Sequence, residues 1–338
     1  MKTGVAYHDV RDLNHVRTDL KDMVAHNCTF VVHTFSETDL SYYTRTMKDI
    51  VKASHDLGLE VYVDPWGVGG IFGGEALSRF IAENLDDRQV LVSGKSAPAA
   101  CMNSPTFRSF MKMWIDTVAD LGSDIVFWDE PHYYMVDWFI EGATTDNWAC
   151  CCPTCRKLFE EQYGHVLPKE MNEEVIAFRE RTVVDFFSEL GDHAKACGLR
   201  NALCVLPDED PLRGVGNWEV LTSIPSLDIF GTDPYWGIRG LPLEPYVRDT
   251  TLKAKALCEK YGLELQMWVL AFLIQEGRED EVMRAAEIFY EEGVRNIAAW
   301  SYGGGGWMYT RSENADTVWE NLRKVFGKLH AQAQSKPD

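Results

Sequence analysis

The stretch SPTFRSFMKMWIDTVADLGSDIVFWDEP, residues 104–131, contains one complete unit of the fold. Residues 104–121 form an amphipathic helical stretch, and Gly122 closes it. Residues 124–128 follow as a short apolar run, rich in β-branched and aromatic side chains, which is the pattern of a buried strand. The run stops at Asp129, Glu130 and Pro131. The order is helix, glycine, strand, acids.

The unit recurs on both sides. Apolar runs at 3–7, 29–33, 60–63, 201–206, 227–232, 263–270 and 297–300 join 124–128 to make eight. Helical stretches at 40–57, 173–197, 243–261 and 280–292 alternate with them, closed by Gly58, Gly198, Gly262 and Gly293. Such alternation gives parallel strands joined by helical crossovers. Eight units predict an α/β fold of the (β/α)8 TIM barrel type rather than an open sheet. Two loops are enlarged: the Gly-rich residues 65–105 after the third strand and residues 131–163 after the fourth. No composition break divides the chain, which predicts one catalytic domain over 1–330 and a polar tail over 331–338.

Composition narrows the partners. A 46% hydrophobic share supplies a large core, and the net charge is −19. That charge argues against nucleic acid and anionic membrane surfaces, because both need a cationic face. No apolar run approaches the roughly 20 residues of a membrane span. The N-terminus enters a strand pattern at once, without the pattern of a signal peptide. Cys28, Cys204 and Cys258 sit singly in apolar segments, as reduced thiols do. The nine cysteines therefore suit a cytoplasmic protein with one metal cluster better than a disulfide framework. A homo-oligomer stays open.

In barrels of this kind the chemistry sits at the carboxyl ends of the strands. Here those ends carry acids and aromatics together. The third run leads into Asp64 and Trp66, the fourth into Asp129, Glu130 and His132, and the sixth into Asp233, Tyr235 and Trp236. His33 closes the second run, Trp268 lies in the seventh, and Trp300 and Tyr302 stand at the eighth. Aromatic faces stack on the C–H faces of a pyranose, while acids accept hydrogen bonds from its hydroxyls. The expected substrate-binding set is therefore Asp64, Trp66, His33, His132, Tyr235, Trp236, Trp268, Trp300 and Tyr302. A carboxylate after a strand is often only the N-cap of the next helix. Asp9, Glu37 and Asp210 are given that role. Asp129, Glu130 and Asp233 end their strands beside a proline with aromatics on both sides, and are expected to do chemistry.

Glycoside hydrolysis needs one carboxyl to protonate the leaving oxygen and a second to act from the other face of the ring. The donor needs a raised pKa, which an apolar wall supplies. Glu130, behind Trp128 and before Pro131, is the expected acid/base. Asp233 is the expected partner, ahead of Asp129 and Asp64. Successive strand residues point oppositely, so Asp129 and Glu130 are not expected to face one sugar together.

Cys150, Cys152 and Cys155 form C-x-C-x-x-C, with Cys151 as an extra. Thiolates at this spacing wrap one structural zinc, closed by a fourth ligand from elsewhere. Cys101 is the best candidate for that ligand, in the loop before the helix that precedes the fourth strand. The segments Cys101-Met-Asn-Ser-Pro-Thr-Phe-Arg108 and Cys150-Cys-Cys-Pro-Thr-Cys-Arg-Lys-Leu-Phe159 resemble the zinc-cysteine segments of the family 42 glycoside hydrolases, the β-galactosidases of clan A. The resemblance covers about residues 60–165. It implies zinc held by Cys101, Cys150, Cys152 and Cys155, and Glu130 as the acid/base; four thiolates leave no open position on the metal, so no catalytic cofactor is expected. The family carries Asn before that acid, where this chain has Asp129, and a nucleophilic Glu at the end of the seventh strand, where it has Gln266 and Trp268.

The leading expectation is a glycoside hydrolase acting on a small oligosaccharide or glycoside. A divalent-metal sugar isomerase or epimerase is the first alternative, with His33, Glu130, Asp208 and Asp233 as a hard-metal set. A carbohydrate-binding barrel without catalysis is the second. The sequence leaves open the sugar, the anomer and whether configuration is retained or inverted.

Overall fold

Ten strands form among the described residues: β1 (Lys2–Tyr7), β2 (Phe30–Thr34), β3 (Glu60–Asp64), β4 (Arg88–Val90), β5 (Ser96–Ala100), β6 (Ile125–Asp129), β7 (Arg200–Val205), β8 (Ile229–Thr232), β9 (Glu264–Leu270) and β10 (Asn296–Trp300). All but β4 and β5 close into a barrel in the order β1-β10-β9-β8-β7-β6-β3-β2, with every neighbouring pair parallel. This is a (β/α)8 TIM barrel. The structure, a computed structural model, describes residues 1–139 and 146–335.

The opening helix shows why the boundaries fall where they do. Ser104 caps helix Pro105–Leu121 by accepting a hydrogen bond from the Phe107 N–H, and Pro105 takes the first turn, where no N–H is needed. Gly122, at φ 86°, adopts the left-handed turn that ends the helix and releases the chain into β6. The expected helix 40–57 is in fact two, Glu37–Tyr42 and Thr44–Asp56, broken at Tyr43. The expected tail also differs. Helix Ala315–Ser335 runs through residues 331–335, four of which are the good helix formers Ala and Gln, and residues 336–338 lie outside the described residues.

Alternation along the strands sorts side chains into two cores. Ile125 and Phe127 of β6 pack inside the barrel with Phe30, Tyr62 and Trp268. Val126 and Trp128 face outward into the layer between barrel and helices, where Trp128 meets Trp114 and Phe187. The same parity sends Asp64, Asp129, Asp233 and Trp300 inward toward the mouth.

The two enlarged loops lie against each other. The first carries the antiparallel pair β4–β5. The second runs beside it: the Cys151 N–H donates to Val90 O at 2.6 Å, and the Val92 N–H donates to Trp148 O at 3.0 Å. Glu37, expected as a cap, instead anchors the first loop. Its buried carboxylate accepts from the Gly69 N–H, the Ser78 hydroxyl and the Phe80 N–H at 2.5–2.9 Å. Part of the second loop, residues 140–145, lies outside the described residues. No helix among the described residues is long and apolar enough to cross a membrane.

Candidate active site at the barrel mouth

A cavity of about 530 Å³ opens at the carboxyl ends of the strands, within the usual range for small-ligand sites. Glu75, Asp129, Glu130 and Asp233 line it with Trp66, Tyr235, Trp268 and Trp300. Asp129 and Glu130 thus face the same space, contrary to the expectation from strand alternation. The reason is local. Glu130 sits at φ 37°, off the strand geometry, so its side chain does not turn to the outer face. Such a conformation is costly for a residue with a Cβ and gathers at functional sites. Two backbone contacts hold it: the Glu130 N–H donates to Cys204 O at 3.0 Å, and its carbonyl accepts from His132 Nδ1 at 2.6 Å.

The carboxyls are crowded. Asp233 is 4% exposed, feels the Glu130 carboxyl beside it, and its Oδ1 has no hydrogen-bond partner. Asp64 is fully buried and neither of its oxygens has a partner. Burial first, and neighbouring negative charge second, push Asp64, Asp129 and Asp233 well above the usual carboxylate range. Burial and like charge both disfavour ionising all of these groups together.

The sign of the stability effect follows. A carboxyl raised in the folded state contributes stability that is full below about pH 4, its unfolded value, and is lost as pH rises through the folded value. Asp64→Asn removes that loss. The variant is expected to be more stable than the parent at pH 8 by on the order of 1 kcal/mol, one pKa unit being worth about 1.4. The advantage should vanish by pH 4. Thermal melts at the two pH values check both halves.

Aromatic rings wall the opposite side. Trp66 and Trp300 stack at 5.1 Å and 19°, with His8 at 6.0 and 5.6 Å from them and nearly parallel. Trp268 is held on the floor by its indole N–H, which donates to Gln266 Oε1 at 3.1 Å. Two glycines keep the loop after β3 close. A methyl group at Gly73 would stand 2.3 Å from Asp129 Oδ2, and one at Gly74 would stand 2.3 Å from the Trp66 ring.

Other expected residues fall elsewhere. His33 has the wrong parity: it faces outward, is buried, and its Nε2 lies 2.9 Å from Ser54 Oγ. Burial pushes its pKa down to about 3. Trp236 is a core residue whose indole N–H donates to Glu281 at 2.7 Å. The Tyr302 hydroxyl turns toward Asp19 and Asp22. His132 supports the Glu130 backbone and does not line the cavity, and Asp64 also lies outside the lining. Trp128 is on the outer face, so it does not wall Glu130. Glu75, Arg213, Arg239 and Thr310 do line the cavity and were not anticipated. Glu75 stands on a loop away from any strand end, and the arginines carry no strand-end acid pattern. Asp208 is tied to Arg239 and lies 3.8 Å from Arg213, so it is neutralised rather than offered to a metal.

The four cysteines converge. Sγ atoms of Cys101, Cys150, Cys152 and Cys155 all lie within 4.8 Å of one another, with Cys101 at 3.5 Å from Cys155 and 3.6 Å from Cys152. These separations exceed a disulfide bond and approach the roughly 3.8 Å edge of a tetrahedron with 2.3 Å Zn–S bonds. Hydrogen bonds from the other three thiols pull Cys152 below the usual thiol range. Its Sγ also accepts from the Cys155 N–H, and Asn103 Nδ2 donates to Cys155 Sγ, both at 3.4 Å. Cys151 is buried and stands outside the set. The donor set suits a structural zinc.

No protein-family model matches the sequence, and no curated protein is significantly similar to it. Solved structures share the barrel. The endo-β-1,4-mannanase from Thermotoga petrophila superposes with a TM-score of 0.64 at 9% identity, over 100% of this chain and 78% of that one. The glycoside hydrolase domain of PgaB (BpsB) from Bordetella bronchiseptica gives 0.63 at 12% identity, over 96% and 99%. D-Psicose 3-epimerase from Clostridium cellulolyticum H10 gives 0.50 at 9% identity, over 98% and 99%. At these identities the likeness is one of fold.

Proposed function

We propose that the protein is a glycoside hydrolase acting on a small oligosaccharide or glycoside. The observation that carries this reading is the cavity that Glu130 and Asp233 line together with the stacked Trp66 and Trp300. The pair acts as the proton donor to the leaving oxygen, because burial and the neighbouring Glu130 charge raise Asp233 and favour its protonated form. Trp66, Trp268, Trp300 and Tyr235 offer faces for the sugar ring. The resemblance to family 42 rests on the cysteine segments and on Glu130, and supports the same chemistry. Zinc held by Cys101, Cys150, Cys152 and Cys155 has a structural part, since four thiolates leave no open position for catalysis. The free thiols fit a reducing, cytoplasmic setting.

The metal-dependent isomerase finds less support. Of its expected ligands, His33 faces away from the barrel and Asp208 is paired with Arg239. The two readings divide on one experiment. Purified protein is screened on aryl glycosides and oligosaccharides before and after brief exposure to a chelator. Hydrolysis that persists in the chelator is expected. Ketose–aldose or epimer interconversion that stops in chelator and returns with manganese would replace the proposal. Clear glycan binding by calorimetry with no turnover would make the barrel a binding protein.

A further inference from the structure

The proposed reaction needs a second carboxylate on the far face of the sugar. The two expected carboxyls do not supply it. In glycosidases the pair stands about 5–5.5 Å apart for retention, or about 6.5–9.5 Å for inversion. Glu130 and Asp233 act on each other directly, and Glu130 raises Asp233, so the two serve together on one side of the ring. Asp129 is adjacent to Glu130 and its Oδ2 fills the place of a Gly73 side chain. Asp64 lies outside the cavity lining. The seventh barrel strand, β9, offers Gln266 and Trp268.

One carboxylate remains in the cavity. Glu75 follows Gly73 and Gly74 in the loop after β3 and lines the cavity with its side chain open to solvent. The two glycines place it there. The Gly73 N–H donates to Asp129 O at 3.0 Å, and Gly74, at φ 113°, lies against Trp66, where any larger residue would collide. The loop is thereby pressed onto Asp129 and the aromatic wall just before Glu75. Partial burial and the charges of Asp9 and Glu130 also raise its pKa, which makes it a better base than a free glutamate.

We propose that Glu75 is the general base of an inverting hydrolysis, an assignment that rests on the glycosidase reading. Glu75 takes a proton from a water in the open part of the cavity. The water oxygen bonds to the anomeric carbon as the bond to the leaving oxygen breaks. The electron pair moves to that oxygen, which receives a proton from the Glu130–Asp233 pair. Glu75 then returns its proton to solvent, and the pair is reprotonated.

The test starts from a glycoside that the parent protein hydrolyses; a parent that hydrolyses none overturns the glycosidase reading itself. On that glycoside, Glu75→Gln is expected to lower kcat about 1,000-fold while leaving KM within a few-fold. In Glu75→Gly, added azide is expected to restore turnover and give a glycosyl azide, because a small nucleophile replaces the activated water. A residue that merely shapes the loop would show no such rescue. Proton NMR of the first product is expected to show the inverted anomer. Near-parental kcat in Glu75→Gln, or a retained anomer, overturns the assignment of Glu75 and leaves the parental hydrolase activity as evidence for the broader reading.

Discussion

Glu130→Gln is expected to lower kcat about 1,000-fold on a glycoside with an alkyl aglycone, within the ~10²–10⁴ range of a lost general acid. Glutamine keeps the side-chain volume beside Asp233 but cannot cycle the proton. The loss should shrink on a dinitrophenyl glycoside, whose leaving group departs without protonation. That contrast separates a lost proton donor from a damaged site. The parent's pH profile supplies a second check. The proton donor must hold its proton to act, so activity is expected to fall as pH rises through the raised pKa of Asp233. The fall should be absent from the residual activity of the variant. Fold is monitored by thermal melting, because the φ of 37° at position 130 tolerates Gln as it tolerates Glu. Near-normal turnover of the alkyl glycoside would remove Glu130 from the mechanism.

The barrel was legible because each of its units repeats the same local signals. Gly122, Gly198 and Gly262 end their helices, and apolar runs begin within a few residues of each. Site residues were legible where strand parity governs them. Asp129, Asp233, Trp268 and Trp300 share the inward register, while His33, one residue off that register, does not. Parity alone would have excluded His33. What parity could not give was the break at Glu130, where a positive φ redirects the side chain. Nor could it give Glu75, which stands on a loop whose course depends on tertiary contacts of Gly73 and Gly74. The arginines at 213 and 239 lay within sight of the strand ends, but a search for acids and rings passed over them. The cysteines were legible from spacing, and their convergence across 51 and 54 residues is the kind of contact that a metal makes stable.

That convergence sets the second large effect. Purified protein is expected to carry about one zinc per chain, measured by elemental analysis under reducing conditions. Cys101→Ser should release it. The cluster joins the chain just after β5 to the start of helix Pro153–Tyr163, so its loss frees both enlarged loops at once. Binding to the folded state alone, at about a thousand times the Kd, corresponds to about 4 kcal/mol of stability. A drop of that order in the Cys101→Ser variant is expected by denaturant unfolding. Cys151→Ser provides the control: the thiol lies outside the cluster, so zinc content should stay near one. Folded, reduced parent without zinc, or unchanged stability in Cys101→Ser, would refute the site. The first loop also carries Gly73, Gly74 and Glu75 onto the cavity. Metal loss is therefore expected to lower activity in step with loop release, over the time that zinc takes to dissociate. Brief chelation, shorter than that time, should leave activity intact, which is how a structural ion differs from a catalytic one.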